Sequence, residues 1–352
     1  MQRAPMALLS GDPAPTFAIP GTSNPRYVFD SAAGRYLLLA IVPAGPAVTR
    51  ALATLEKQRA AFNDLHASAF IVVVGKDKGR AKRRDSLPGM RILFDEDGAV
   101  AARYDAAGTE RWCLVDPALH LMAMVGADQA GALVDRVPSL APPDRHGGPE
   151  GIAPVLLTPR IFEPAFCAQL IALYRKDGGK PSGLMREVGG VTTLMTDDNH
   201  KRRSDVLIED EALKGQVVAR LNRRLLPQIQ KAFNFKATRI ERYLVARYDA
   251  EAGGFFRPHR DNTTRGTAHR RFAVSINLNA DYEGGDLRFP EFGPRTFRPP
   301  PGGAVVFSCS VLHEATPVTR GERFAFLPFL YDEAAAAIRE ANLKYLDPAL
   351  TA

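Results

Sequence analysis

A proline- and glycine-rich segment, SLAPPDRHGGPEGIAP at residues 139–154, interrupts the regular hydrophobic patterns of this 352-residue chain. Neither a helix nor a strand forms readily there, because proline lacks a backbone N–H and glycine loses much conformational entropy on ordering. A chain of this length also exceeds the size of most single domains. We therefore expect a linker at 139–154 between two domains, residues 1–138 and 155–335, and a helical tail at 336–352.

The first half of the chain alternates short apolar runs with a helical pattern. The runs YLLLAIV at 36–42 and AFIVVV at 69–74 have the length and composition of buried strands, and the stretch between them is amphipathic. Two more apolar runs, WCLVD and LHLMAMV, flank the turn residues Asp116 and Pro117 and predict a terminal hairpin. This order of elements predicts a compact α/β domain.

The second half begins with helical patterns and changes to many short strands from Ile240 onward. Amphipathic stretches near 156–176 and 209–233 predict two helices. The later runs, including ERYLVARYD, FAVSINLN, GAVVFSC and FAFLPFLYD, are separated by glycine, proline and aspartate turns. The pattern predicts an all-β barrel or jelly roll, braced by the preceding helices.

Two histidines and one aspartate in the strand-rich region have the spacing of metal ligands. His259 and Asp261 are two positions apart, so an extended chain points both side chains to one side. His313 follows after the chain has turned back, and two imidazoles with one carboxylate leave open positions on an ion, as in non-haem Fe(II) oxygenases. Arg323 begins the apolar strand FAFLPFL and, if buried, requires an anionic partner. The alternative is that Arg323 faces solvent, like Arg320.

The segments RYDAEAGGFFRPHRDN, RRFAVSINLNADYEGGDLRFPEFG and PPPGGAVVFSCSVLHEATPVTRGERFAFLPFLYD resemble, in this order, the catalytic domain of the prolyl 4-hydroxylase branch of the 2-oxoglutarate- and Fe(II)-dependent dioxygenases. The resemblance covers residues 155–335 and implies a double-stranded β-helix, or jelly roll. It implies that Fe(II) is bound by His259, Asp261 and His313. It also implies that Arg323 pairs with the far carboxylate of the 2-oxoglutarate cosubstrate and that Tyr248 lies beside it, and Asn277 can donate a hydrogen bond to the same cosubstrate. O2 is then the second cosubstrate, and ascorbate is a candidate reductant.

The implied reaction is hydroxylation of a prolyl or other residue in a protein or peptide, or of an amino-acid-like molecule, with release of succinate and CO2. Phe256 and Asn277 stand where the family often has tyrosines. Phe256 cannot donate a hydrogen bond, which leaves the substrate class open. Two other interpretations also stay open: a non-catalytic binding module, and a metal-dependent non-oxygenase on the same barrel, which would have no use for Arg323.

The first domain resembles the peroxiredoxin branch of the thioredoxin fold over residues 8–130, on the segments GDPAPTFAIP and RWCLVDPALHLMAMV. That family needs a low-pKa cysteine in the loop after its first long strand, and the corresponding loop here, PAGPAVTRAL, has none. We expect a domain that has kept the fold and lost the thiol chemistry. The three cysteines, Cys113, Cys167 and Cys309, are scattered and odd in number, which argues against a disulfide framework and predicts a cytoplasmic protein.

The net charge of +7 is moderate, and the densest basic runs are HKRRS at 200–204 and the stretch 257–271. Neither run is interleaved with aromatic residues, so we expect solvated faces and no nucleic-acid partner. No apolar run reaches signal-peptide or membrane-spanning length, which predicts no membrane partner. A homodimer is a candidate assembly. Four arginines flank the metal motif and either line a solvated rim or select an acidic or C-terminal-carboxylate substrate: Arg257, Arg260, Arg270 and Arg271.

Overall fold

The computed structural model describes residues 7–350, without the side chain of Leu350. The first six residues of the expected N-terminal domain and the last two of the expected tail therefore lie outside the described residues. Within the described range, no helix combines the length and apolar character needed to cross a membrane. The chain divides into two compact units, unit 1 with Met1–Ile152 and Pro290–Pro294, and unit 2 with Ala153–Phe289 and Arg295–Ala352.

Unit 1 is built on one five-stranded mixed sheet. Its helices are α1 Pro46–Glu56, α2 Ala99–Arg103 and α3 Ala130–Arg136. Its strands are β1 Ala18–Ile19, β2 Tyr27–Val28, β3 Tyr36–Pro43, β4 Ala67–Val74, β5 Met90–Asp95, β6 Arg111–Val115 and β7 Leu121–Val125. The strand order of the sheet is β5-β4-β3-β6-β7, with β3, β4 and β5 parallel and β6 and β7 antiparallel.

The central strands of unit 1 are apolar along their whole length because both faces of the sheet are covered. Seven of the eight residues in β3 and in β4 are buried, as parallel strands require when helices cover them. One face packs against the apolar side of α1 and α3. The predicted strand, helix, strand and terminal hairpin are confirmed as β3, α1, β4 and the β6–β7 pair.

Unit 2 contains two larger antiparallel sheets and four helices. The helices are α4 Pro164–Asp177, α5 Glu211–Arg220, α6 Leu226–Phe233 and α7 Glu333–Asn342, with a π-helical turn at Leu221–Leu225 joining α5 to α6. The strands are β8 Leu156–Thr158, β9 Lys180–Pro181, β10 Leu184–Val188, β11 Val191–Met195, β12 Lys201–Arg202, β13 Ser204–Leu207, β14 Arg239–Glu241, β15 Leu244–Asp249, β16 Phe255–His259, β17 Phe272–Asn277, β18 Glu283–Gly284, β19 Leu287–Arg288, β20 Thr296–Phe297, β21 Ala304–Ser308, β22 His313–Ala315, β23 Val318–Arg320, β24 Glu322–Phe326 and β25 Phe329–Tyr331.

The nine-stranded sheet of unit 2 contains the path β14-β25-β17-β24-β15-β13-β9. In addition, β21 pairs with β17, and β8 pairs with β21. The smaller sheet has the order β12-β16-β22-β19-β20. Side chains from both sheets line one cavity. Two antiparallel sheets around a common interior are the expected jelly-roll arrangement, and the helices predicted to brace it are present as α4 to α6.

Alternation along β17 and β24 divides helix-facing residues from cavity-facing residues. Val274 and Ile276 on β17, with Phe324 and Phe326 on β24, belong to the apolar core that includes residues of α4, α5 and α6. Successive side chains of a strand point to opposite faces, so the positions between them face the cavity. Ser275 and Asn277 on β17, and Arg323 on β24, occupy such positions.

Candidate active site

Three metal-ligating side chains meet at one end of the smaller sheet. β16 ends at His259, β22 begins at His313, and these two residues are direct cross-strand partners. Asp261 lies in the turn after β16, where its backbone N–H donates to the Cys309 carbonyl oxygen at 3.0 Å. One ligand atom from each of the three residues lies within 4.8 Å of the others. The sequence motif and the strand register thus place two imidazoles and one carboxylate around a single point.

Both histidine rings are held by backbone carbonyls of residues two positions earlier in the chain. His259 Nδ1 lies 2.8 Å from the Arg257 carbonyl oxygen, and His313 Nδ1 lies 3.0 Å from that of Val311. A carbonyl oxygen only accepts hydrogen bonds, so each Nδ1 carries a proton, and Nε2 is the ring atom that can bind a metal. The two Nε2 atoms lie 3.6 and 3.3 Å from the carboxylate oxygens of Asp261. These backbone contacts fix the tautomer that metal binding needs.

Burial sets the protonation of two of these groups. It lowers the pKa of His259 to about 4, and repulsion from His313 acts in the same direction. Burial alone would favour neutral Asp261, but attraction to His313 holds the pKa of Asp261 well below its usual range. At neutral pH the cluster therefore offers a neutral imidazole at His259 and a charged carboxylate. This donor set fits a divalent transition-metal ion, Fe(II) included.

Arg323 lies on β24 and lines the same cavity as the three ligands. Only 2% of its surface is exposed, so Arg323 faces inward and does not face solvent. Its guanidinium donates from Nε to Asn277 Oδ1 at 3.1 Å and from Nη2 to Ser275 Oγ at 2.8 Å. Both acceptors are neutral, and no carboxylate among the described residues lies within salt-bridge distance of Arg323. A buried cation of this kind fits an acidic ligand.

Tyr248 and Asn277, the other two predicted cosubstrate residues, are both beside Arg323. Tyr248 is its cross-strand partner on β15, and the guanidinium carbon lies 5.4 Å from the centre of the phenol ring. Asn277 donates both of its amide hydrogens, to Tyr282 Oη at 2.8 Å and to the Pro299 carbonyl oxygen at 3.0 Å. Its oxygen accepts from Arg323, so in this arrangement Asn277 orients the arginine and has no free donor for the cosubstrate.

The structure adds residues that the sequence did not identify. Ser275 and Tyr282 complete the contacts around Arg323 and Asn277. Arg203 lines the cavity and lies 3.5 Å from Tyr248 Oη, measured from its Nη1. Arg242 also lines the cavity. Ser275 could have been found from the sequence, because the apolar strand FAVSIN has polar residues two positions apart, Ser275 and Asn277.

The two basic runs of the sequence are not simply solvated. In the run 200–204, Lys201 and the side chain of Arg203 are buried. In the stretch 257–271, Arg270 is buried and pairs with Glu241, with 2.6 Å between Nη2 and Oε1. The expectation of solvated faces is wrong for these three residues. Their long side chains cross into the interior because buried carboxylates or polar groups receive them there.

Aromatic rings form the apolar wall of the metal cluster. Phe256 stacks on the His259 ring with 3.4 Å between the ring centres. Phe307 lies 4.5 Å from the His313 ring, and Phe289 lies 6.3 Å from it. Phe256 therefore has a packing role that needs no hydrogen-bonding group. The rings limit water around the histidines and support the low pKa of His259.

A cavity between two antiparallel sheets, lined by a 2-His-1-carboxylate cluster and a buried arginine, has the make-up of the non-haem Fe(II) oxygenase class. Residues 243–331 match the family model described as the 2OG-Fe(II) oxygenase superfamily. The C-terminal region therefore contains a 2OG-Fe(II) oxygenase domain, of a family that uses Fe(II), 2-oxoglutarate and O2.

Curated relatives match the same kind of domain. A PKHD-type hydroxylase of Synechococcus sp. is 26% identical over 134 residues, which cover 36% of this chain and 57% of the relative. A PKHD-type hydroxylase of Nitrosomonas eutropha is 29% identical over 177 residues, 45% of this chain and 72% of the relative. The chain thus spans little more than half of the Synechococcus protein. A solved Pseudomonas putida prolyl-4-hydroxylase aligns with a TM-score of 0.40 and 20% identity, over 51% of this chain and 94% of that one.

Proposed function

We propose that unit 2 is an Fe(II)- and 2-oxoglutarate-dependent dioxygenase that hydroxylates a prolyl or other amino-acid residue in a protein or peptide, or a related amino-acid-like molecule, with release of succinate and CO2. The observation that carries the proposal is Arg323, a buried cation with only neutral partners, in the cavity that holds the His259, Asp261 and His313 cluster. The family match and the name hydroxylase of the curated relatives support it.

In this proposal His259, Asp261 and His313 hold Fe(II), which when bound supplies the activation of O2 for oxidative decarboxylation of 2-oxoglutarate. Arg323 binds the far carboxylate of 2-oxoglutarate with paired hydrogen bonds, and Asn277 and Ser275 fix the direction of its guanidinium. The Tyr248 ring lies beside that carboxylate. The phenylalanine wall excludes water, so the charge of Arg323 acts in a medium of low polarity.

The two alternatives are less well supported. A metal-dependent non-oxygenase on the same barrel has no use for a buried arginine without a carboxylate partner. A non-catalytic binding module has no use for two histidines whose Nδ1 atoms are both fixed by backbone carbonyls so that their Nε2 atoms face one carboxylate. Binding of 2-oxoglutarate separates the first alternative from the proposal, and metal binding separates the second.

For unit 1 we propose a thioredoxin-like domain of the peroxiredoxin type without redox activity, spanning residues 1–138 and followed by a linker at 139–154. The order of its parallel and antiparallel strands supports that fold. The loop between β3 and α1 contains no cysteine. Cys113 lies on β6, where burial raises the pKa of its thiol to about 12, so it stays protonated and unreactive.

We also propose a cytoplasmic location, because all three thiols are buried and unpaired, as in a reducing compartment. The proposed partners are a peptide, protein or amino-acid-like substrate, without nucleic acid or membrane. A homodimer stays a candidate assembly.

The test is an anaerobic Fe(II) titration followed by O2-dependent succinate release from 2-oxoglutarate, with ascorbate present as reductant. We expect His259→Ala to lose Fe(II) binding and turnover, and Arg323→Ala to keep Fe(II) binding but lose 2-oxoglutarate binding by about 100-fold or more. Arg320→Ala is the matched control, because Arg320 lies three positions away with its side chain 65% exposed. If the wild type binds metal but not 2-oxoglutarate, the result favours the non-oxygenase. If it binds neither metal nor 2-oxoglutarate, the result favours the binding module.

A further inference from the structure

Arg242 is one of three arginines that line the cavity, together with Arg203 and Arg323. It lines the same cavity as the metal cluster, and its guanidinium carbon lies 5.6 Å from the ring centre of Phe329, another lining residue. Its side chain donates no hydrogen bond to any part of the chain that the structure describes. The nearest carboxylate oxygen is Asp205 Oδ2, 3.5 Å from Arg242 Nη2. The guanidinium therefore has donors available for a ligand.

Asp205 does not satisfy Arg242, because other donors already occupy its oxygens. Arg203 donates from Nε to Oδ1 at 2.7 Å and from Nη2 to Oδ2 at 2.6 Å. The Ser182 hydroxyl donates to Oδ2 at 2.5 Å. The paired geometry of Arg203 is the strong one, and the 3.5 Å approach of Arg242 lies outside the usual range for a hydrogen bond.

Arg242 has no carboxylate of its own, because both nearby carboxylates are already paired. Arg203 pairs with Asp205, and Arg270 pairs with Glu241. Lys201 donates to the neutral oxygens Ser182 Oγ and Gly183 O at 2.7 and 2.6 Å, and burial lowers its pKa well below the usual range. Burial, together with repulsion from Arg203 and Arg270, lowers the pKa of Arg242 to about 10, which leaves it charged at neutral pH. An added anion would relieve this repulsion.

The backbone of Arg242 is also unusual. Its φ angle is 69°, in the left-handed region that residues other than glycine rarely adopt. Arg242 lies between the last residue of β14, Glu241, and β15, so this conformation sets the direction of its side chain at the junction of two strands of the nine-stranded sheet. Strained residues of this kind are concentrated at ligand sites, where the surrounding structure maintains them.

We propose that Arg242 binds a carboxylate of the substrate, so that the preferred substrate carries an acidic group near the position that is oxidised. The proposal rests on the dioxygenase function proposed above, in which Arg323 is already committed to the cosubstrate. The carboxylate belongs either to an Asp or Glu side chain or to a chain end. Two of the arginines first considered for this role are engaged elsewhere: Arg270 pairs with Glu241, and Arg257 Nε donates to the Asn199 carbonyl oxygen.

The test measures binding of peptides to protein loaded with Mn(II) and 2-oxoglutarate, a complex that holds both ligands without turnover. An equimolar library of N-acetylated tetrapeptides is equilibrated with immobilised protein, and the bound fraction is quantified by mass spectrometry. One arm compares C-terminally amidated peptides containing Asp or Glu with their Asn or Gln counterparts. The other arm uses peptides with neutral side chains and compares the forms that have a free C-terminal carboxylate to the amidated forms.

We expect the wild type to prefer the acidic member of one arm by about 10- to 100-fold. Arg242→Gln should reduce that preference to about twofold or less, and Arg242→Lys should keep part of it, because the charge remains but the paired donors are lost. Arg247→Gln should keep the full preference. Arg247 is the matched control, since its side chain is 30% exposed like that of Arg242 but lies outside the cavity and pairs with Asp249 and Glu322.

The outcomes distinguish this inference from the proposed function. Equal binding of the acidic and the neutral members of both arms by the wild type overturns the inference, as does an unchanged preference in Arg242→Gln. If the wild type binds neither Mn(II) nor 2-oxoglutarate, the proposed function fails first. A circular dichroism spectrum and a urea midpoint of Arg242→Gln that match those of the wild type show that the variant is folded.

Discussion

Arg323 differs from other arginines of this chain in the charge of its hydrogen-bond partners. Arg203 pairs with both oxygens of Asp205 and Arg270 with both oxygens of Glu241, and the half-buried Arg91 likewise pairs with both oxygens of Asp64. Arg323 instead has two neutral acceptors. Removing a cation from water without a counter-charge is costly, and the other three show that the fold supplies carboxylates where an ion pair is structural. The missing partner of Arg323 is therefore best explained as a ligand.

A carboxylate introduced next to Arg323 should pair with its guanidinium and compete with 2-oxoglutarate for it. We predict that Asn277→Asp, whose carboxylate replaces an amide oxygen 3.1 Å from Arg323 Nε, weakens 2-oxoglutarate binding by about tenfold or more. Mn(II) affinity should stay close to that of the wild type. Titration calorimetry of 2-oxoglutarate into the Mn(II)-loaded protein measures the change, and Ser275→Ala, which removes one neutral acceptor, should cost only a few-fold. Normal 2-oxoglutarate affinity in Asn277→Asp would argue against the role of Arg323.

The Asp64 carboxylate should make the stability of unit 1 depend on pH. Burial opposes its ionisation, but hydrogen bonds from Arg91 and Ser68 lower its pKa from 3.8 to about 2. A carboxyl group with a lowered folded-state pKa stabilises the fold above its unfolded pKa, and this contribution is lost as pH falls from about 4 towards 2. We predict that Asp64→Asn costs about 2 kcal/mol at pH 6.

The measurement uses Trp112, the only tryptophan of the chain, which is buried on β6 of unit 1. Urea unfolding followed by its fluorescence should show the gap between wild type and Asp64→Asn closing between pH 4 and pH 2. Asp135→Asn is the control, because Asp135 is exposed and its carboxylate accepts a hydrogen bond from the neutral Gln58 amide. A gap that stays constant with pH would show that Arg91 does not act through the charge of Asp64.

At the scale of elements, the strands that form the site are fixed by tight turns at their ends. The turn between Tyr282 and β19 contains Gly284 and Gly285, with φ angles of 68° and 67°. A Cβ at Gly284 would collide with the Pro317 carbonyl oxygen, and a Cβ at Gly285 would lie 3.2 Å from Arg323 Cδ. The glycines keep β18 and β23 close beside Arg323.

We predict that Gly284→Ala lowers the free energy of unfolding by about 2 kcal/mol more than Gly189→Ala does. Gly189 has a similar φ of 58° in the turn between β10 and β11, but a Cβ there would meet no atom within 4 Å. Both variants share the cost of a left-handed alanine, so the difference isolates the collision with Pro317. Differential scanning calorimetry measures it, and equal losses would mean that the turn opens freely.

The part of the site that lies in short sequence motifs could be predicted. The part that depends on contacts between residues distant in the sequence could not. His259 and Asp261 lie in one motif, and the apolar strand after His313 marked Arg323 as unusual. Arg203 was hidden in a basic run, although strand periodicity would have placed it on the opposite side from Arg202. The hydrogen bonds of Asn277 depend on side chains and carbonyls whose approach only the folded turn determines. Arg242, another cation of the cavity, falls inside the predicted strand ERYLVARYD, but the structure interrupts that strand between β14 and β15 with a φ angle of 69° at Arg242, so strand periodicity does not give its direction.

At the scale of the whole molecule, the ligand chemistry is concentrated in unit 2. All residues proposed to bind metal, cosubstrate or substrate lie between Lys201 and Arg323. Unit 1 contributes a covered mixed sheet and one buried cysteine, whose high thiol pKa excludes it as a ready nucleophile. Part of the net charge of +7 is internal, because Lys201, Arg270 and Arg323 of unit 2 are buried.

Ligand binding should therefore stabilise the two units unequally. We predict that Mn(II) with 2-oxoglutarate, each at about 100 times its dissociation constant, adds about 2.7 kcal/mol per ligand to unit 2. Hydrogen exchange measured by mass spectrometry should slow in β16, β17, β22 and β24, while β3 to β6 and the Trp112 unfolding transition stay unchanged. His259→Ala is the control that should abolish the metal-dependent slowing. Equal slowing in β3 and β4 would show that unit 1 responds to the site, and would give it a part in cosubstrate binding that its own residues do not reveal.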